Sequence, residues 1–167
     1  REACKGDANT CLQCWQTIIQ KKLEENNLDA AFSALDAFTK QHPTQLGSCH
    51  GLAHEMGERA FQLFNQKKDF ALSLKTSYCG YGFYHGFMET LVHTTNDMVE
   101  ARAFCDYADE KLKTFIADAG GACIHGIGHG SVDDVPDPSV WGDAQKIVTP
   151  ALALCERVSR DESDLFR

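Results

Sequence analysis

The segment Ala122–Ser131, ACIHGIGHGS, sets two histidines and a cysteine among three glycines. Its centre, HGIGH at His125–His129, has two earlier counterparts, HGLAH at His50–His54 and YGFYH at Tyr81–His85. All three follow one frame: His or Tyr, Gly, an apolar residue, a variable residue, then His. A cysteine stands shortly ahead of each, at Cys49, Cys79 and Cys123, and the copies begin 31 and 44 residues apart. Those lengths suit one helical hairpin per copy. The segments between the copies echo one another too: AAFSALD ending at Asp36, EARAFCD ending at Asp106 and TPALALCE around Cys155. No further motif follows the last of these, so the expectation is either a fragment of a longer repeat protein or a repeat protein whose final unit is lost.

Outward from the motif, apolar residues recur at three and four positions, the period of amphipathic helices. One stripe runs through Leu12, Trp15, Ile19 and Leu23, and the next through Leu28, Phe32, Leu35 and Phe38, before QHPTQ interrupts it. Leu52, Met56, Phe61 and Phe64 form a third, and Phe83, Phe87 and Leu91 a fourth. A fifth helix, capped by Thr95 or Asn96, carries Met98, Ala101, Cys105, Ala108 and Leu112. A sixth is expected after the glycine pair Gly120–Gly121, and a last one with Thr149 as N-cap and Pro150 at its first position. The stretch from Phe70 to Leu74 alternates but is too short for a strand. The expected fold is therefore all-α: antiparallel helical hairpins stacked as a short solenoid-like array. The chain is taken as one repeat domain over residues 1–167, with approximate units 1–66, 67–95, 96–132 and 133–167. The likeness to helical-hairpin repeat proteins is architectural and implies no activity.

Composition narrows the function. Lys plus Arg number 16 against 24 Asp plus Glu, a net charge of −8 without a basic run, which argues against nucleic acid and anionic lipid as partners. No apolar run is long enough for a membrane span. Eight cysteines, an even and high number, point to an oxidising compartment, so the chain is expected to be exported (periplasmic, lumenal or extracellular) and disulfide-stapled. Cys105 and Cys123 flank a hairpin connection suited to one such staple, although eight cysteines leave the overall pairing open.

The motif's chemistry follows from its spacing. Residues four apart share a helix face, so His50 with His54 and His125 with His129 each offer two imidazoles, and His85 with Glu89 offers an imidazole and a carboxylate. Tyr81 occupies the first position of the middle copy. Imidazole-rich sets suit copper and zinc first, then iron. The reading is a transition-metal-binding protein for storage, transport or metal-dependent catalysis, with Glu55 or Glu89 as proton acceptor if water is activated. Glycine at Gly51, Gly82 and Gly126 costs a helix about 1 kcal/mol each, which a close backbone approach would offset.

Several alternatives are weighed against this. A metal-free protein-interaction module is the main rival, with the histidines serving only a folding consensus. A thiol-disulfide oxidoreductase at Cys11 and Cys14 (CLQC) is the second, although the thioredoxin-like context is missing. Covalent haem is disfavoured, because CLQC is followed by Trp15 instead of His and Cys49–His50 has Leu46 where the first cysteine would stand, while bis-His haem stays open. HEMGE at His54–Glu58 lacks the second histidine of a zinc-protease helix. The acidic loop with Asp133, Asp134 and Asp137 lacks EF-hand spacing.

Overall fold

The structure, a computed structural model, describes residues 4–25, 27–67, 71–132 and 138–159. Among these the protein is all-helical, with seven α-helices and no strand: α1 Ala8–Glu24, α2 Leu28–Gln41, α3 Ser48–Lys67, α4 Gly82–Thr95, α5 Met98–Leu112, α6 Ala119–Val132 and α7 Ala144–Val158. Short 3-10 turns lie at Pro43–Gln45 and Pro138–Val140. Three disulfides join Cys4 to Cys14, Cys49 to Cys79 and Cys105 to Cys123, the last being the staple expected across a hairpin. The chain divides into two compact units, Arg1–Phe83 and Tyr84–Arg167. The first holds α1 to α3; the second holds nearly all of α4 and then α5 to α7. No described helix is long and apolar enough to cross a membrane. The acidic loop of Asp133, Asp134 and Asp137 lies outside the described residues, as does Phe70, and Ala71–Leu74 form no strand.

In the first unit α1 packs on α2 and α3. The stripe on α1 runs Cys11, Trp15, Ile19 and Leu23, all buried, so Cys11 takes the place expected for Leu12. On α2 the buried residues include Leu28, Phe32, Leu35 and Phe38, as the period requires. Asp7 caps α1 by accepting from the Thr10 N–H at 2.8 Å, and Asn27 caps α2 by accepting from Ala30 at 2.9 Å. On α3, Leu52, Met56 and Phe61 are buried, while Phe64 is only half-buried.

In the second unit α6 packs on α5 and α7. Phe87 of α4 stacks on Phe104 of α5, ring centroids 4.1 Å apart. Three helix boundaries differ from the sequence expectation, each for a local reason. The cap of α5 is Asp97, whose carboxylate accepts from Val99 at 2.9 Å and Glu100 at 3.0 Å; Thr95 still belongs to α4, where its hydroxyl donates to the Leu91 carbonyl, and Asn96 takes a left-handed φ of 49° between the two helices. The sixth helix begins before the glycine pair, because Gly120 is needed inside it: a Cβ at that position would come within 3.0 Å of the Asp109 Cβ on α5. The last helix starts at Ala144 and is capped by Asp143, which accepts from the Lys146 N–H at 3.3 Å, and Pro150 sits inside α7 instead of at its start. A mid-helix proline forfeits one hydrogen bond, a cost of about 3 kcal/mol, which the burial of Ala151 and Val158 helps offset.

The motif glycines divide by environment. A Cβ on Gly126 would lie 2.5 Å from the Tyr84 carbonyl oxygen, and one on Gly130 would lie 2.8 Å from the Glu89 Cα. Four residues apart, these two seat one edge of α6 directly on the α4 backbone. Gly82 has the same use in the first unit, where a Cβ would lie 2.5 Å from the His50 carbonyl oxygen. Gly51 and Gly128 face nothing within 4 Å, so close approach does not account for the helix cost at Gly51. Gly126→Ala should therefore destabilise the protein by about 2 kcal/mol or more through the clash. Gly128→Ala, two residues away, should stabilise it by about 1 kcal/mol through helix propensity. Denaturant unfolding of the two variants should move in opposite directions.

Candidate metal centre

His85 leaves α4 one residue after Tyr84, the residue against which Gly126 lies. Because α6 reaches the α4 backbone at that level, His125 and His129, one turn apart on α6, come up against the His85 ring. Ring centroids are 4.2 Å apart for His85 and His129, 5.2 Å for His85 and His125, and 4.9 Å for His125 and His129. One candidate ligand nitrogen from each ring can be chosen so that all three lie within 4.8 Å of one another. Among the described residues this is where three metal-ligating side chains converge. His85 is buried, His129 half-buried and His125 exposed, so the cluster runs from the core to solvent.

A metal–imidazole bond of 2.0–2.1 Å places nitrogens about 3.4 Å apart in a tetrahedral shell. The three rings need draw in only modestly, by turning His85 and His129 out of their near-parallel stack (24° between planes). The backbone contact beneath them is fixed, so this adjustment falls on side-chain torsions. A further tie holds the two helices farther along: His93 on α4 donates from Nε2 to the Gly130 carbonyl at 2.8 Å. His93 was absent from the sequence-derived set, although it continues the His85, Glu89 spacing by one more turn.

The other candidates have separate positions. His50 is exposed and donates from Nδ1 to the Cys79 carbonyl at 3.0 Å. That bond and the Cys49–Cys79 disulfide hold a turn in which Cys79, Gly80 and Tyr81 all have left-handed φ, of 58°, 65° and 63°. Two of the three are not glycine, and each non-glycine residue in that region costs about 1 kcal/mol or more. Tyr81 is thus at a strained position in a turn, on the surface. His54 donates from Nδ1 to Glu58 Oε1 at 2.9 Å, one turn along α3. Glu55 is exposed and accepts from the Gln16 side chain through both oxygens at 3.0 Å. Glu89, half-buried on α4 one turn beyond His85, has its Cα where Gly130 of α6 lies against it.

Of the CLQC pair, Cys14 is in a disulfide with Cys4, and Cys11 is a buried thiol. Sequence spacing drew attention to these cysteines but not to His42, whose Nε2 is 3.3 Å from the Cys11 sulfur. Cys155 is the second unbridged cysteine among the described residues, and burial pushes its thiol above the ordinary range.

Comparison with known protein families, with curated proteins and with solved structures finds no match to this chain.

His50→Ala should lower stability by about 1 kcal/mol, the net worth of a hydrogen bond. It should also speed amide exchange in residues 79–81, measured by hydrogen–deuterium exchange.

Proposed function

We propose that the protein binds a transition metal ion, copper or zinc in preference to iron, through His85, His125 and His129. The observation that carries this reading is the convergence of three imidazoles on a backbone contact that glycine alone permits. Neutral imidazole is a ligand of choice for these ions. Three such ligands leave a position for water or a fourth ligand, the arrangement of an open site. The exposure of His125 gives an ion a path from solvent, which suits uptake and transfer for storage or transport; if the ion activates water, Glu89, one turn beyond His85 on α4, is the candidate proton acceptor. His50 and His54 serve instead as braces for Cys79 and Glu58, and Tyr81 as a turn residue. Three disulfides and the absence of a spanning helix among the described residues are compatible with an exported protein. The glycine contacts of Gly82 on His50 and of Gly126 on Tyr84, each within one unit, support a stacked-hairpin reading of the repeat. The disulfides do not repeat in step: Cys79 of the second copy bonds Cys49 of the first, whereas Cys123 bonds Cys105 on α5.

Elemental analysis of protein purified without a metal-affinity tag tests the proposal. About one equivalent of copper or zinc, bound or taken up on addition, is expected. His125→Ala and His129→Ala should each weaken binding about ten-fold or more, since each removes one of three ligands. Uptake should also fall on acidification, because a protonated imidazole has no lone pair to give. Less than about a tenth of an equivalent, with no uptake, would overturn the reading. In that case a protein-interaction module becomes the better account, favoured by the exposed apolar residues Trp141, Val148 and Leu152.

A further inference from the structure

The first unit contains a second cluster of reactive side chains, independent of the histidine trio. Cys11 lies in the first turns of α1, and its sulfur is 3.3 Å from His42 Nε2. The contact is held from both sides. Trp15, one turn beyond Cys11, meets Phe38, one turn before His42, with centroids 6.1 Å apart, and the His42 ring lies 5.5 Å from that of Phe38. His42 itself is the C-cap of α2, its N–H bonded to the Phe38 carbonyl, so its ring is aimed by the end of a helix. It is half-buried, and a proton it accepts can pass to water. Cys14, one turn beyond Cys11 on the same helix, is bonded to Cys4. The chain returns to Cys14 through Gly6, whose φ of 139° is a glycine conformation.

We infer that Cys4, Cys11 and Cys14 form an intramolecular thiol-disulfide exchange site, with His42 as the proton acceptor for the Cys11 thiol. His42 Nε2 takes the proton from Cys11. The thiolate attacks the Cys14 sulfur; the Cys11–Cys14 bond forms as the Cys4–Cys14 bond breaks, and Cys4 leaves as a thiolate that takes up a proton. One disulfide replaces another and one thiol replaces another, so no oxidant or reductant is consumed. Residues three apart on a helix have Cβ atoms roughly 5–6 Å apart, against 3.5–4.5 Å in a disulfide, so the start of α1 must tighten locally for the bond to close. The consequence is a disulfide that can move, passing thiol character from Cys11 to Cys4.

Trapping distinguishes this from an inert thiol. Oxidised native protein is incubated with iodoacetamide at neutral pH, and the labelled cysteines and remaining disulfides are mapped by mass spectrometry. The expected products are two: protein alkylated at Cys11 with Cys4–Cys14 intact, and protein alkylated at Cys4 with a Cys11–Cys14 bond. Cys11→Ser should abolish the second product. His42→Gln should slow its appearance about ten-fold or more, while the Cys49–Cys79 and Cys105–Cys123 bonds and the helical circular dichroism stay unchanged. As a measurement that does not depend on a folded variant, acid quenching of the wild type followed by unfolding and alkylation should find a fraction with Cys4 free. The proposal is overturned if Cys4 is never found free in that quenched sample, or if its labelling in a folded His42→Gln variant proceeds at the wild-type rate.

Discussion

The histidine cluster rests on a contact between two backbones. Gly126 and Gly130 put one edge of α6 against Tyr84 and Glu89 of α4, at separations that any side chain would break. Helices that meet through ordinary side chains stand 8–10 Å apart, and the side chains between them occupy the seam. Removing those side chains at two positions one turn apart brings the flanking residues into register. His125 and His129 bracket Gly126 and precede Gly130, and His85 lies between Tyr84 and Glu89, so the imidazoles meet because the glycines do. The bond from His93 to the Gly130 carbonyl and the Cys105–Cys123 disulfide hold α6 in place from two other sides.

The same frame is put to a different use in the first unit. Gly82 lies against the His50 carbonyl, yet His50 spends its Nδ1 proton on the Cys79 carbonyl, and His54 spends its own on Glu58. Local chemistry explains the difference. The middle copy begins in a turn with three left-handed residues, and that turn needs an external donor and a disulfide to hold it. Copies related in sequence thus separate into braces and candidate ligands according to what stands opposite them.

Much of the helical architecture was legible because it is written in local periods. The stripe Leu28, Phe32, Leu35, Phe38 is buried as spacing demands, and so are Phe83, Phe87 and Leu91 on α4 and Met98, Ala101, Cys105, Ala108 and Leu112 on α5. The boundaries were less legible. Asp97 and Asp143 cap α5 and α7 where local sequence points to Thr95 or Asn96 and to Thr149, the last because a proline directly after a threonine is a strong local sign of a helix start. Pro150 lies within α7 because Asp143 had already begun the helix and burial of Ala151 and Val158 sustains it.

What the amino-acid sequence determined by itself is the set of helices, the pairing of His125 with His129 on one face, and the presence of glycine where a helix would otherwise reject it. These depend on residues three or four apart, whose geometry the helix dictates. Which histidines meet was decided only by tertiary structure. His85 and His125 are 40 residues apart and come together through one backbone contact, and Cys11 and His42 come together because α1 and α2 pack with Trp15 against Phe38. No local period encodes such meetings, because they depend on which neighbouring backbone fills the space that a missing side chain leaves.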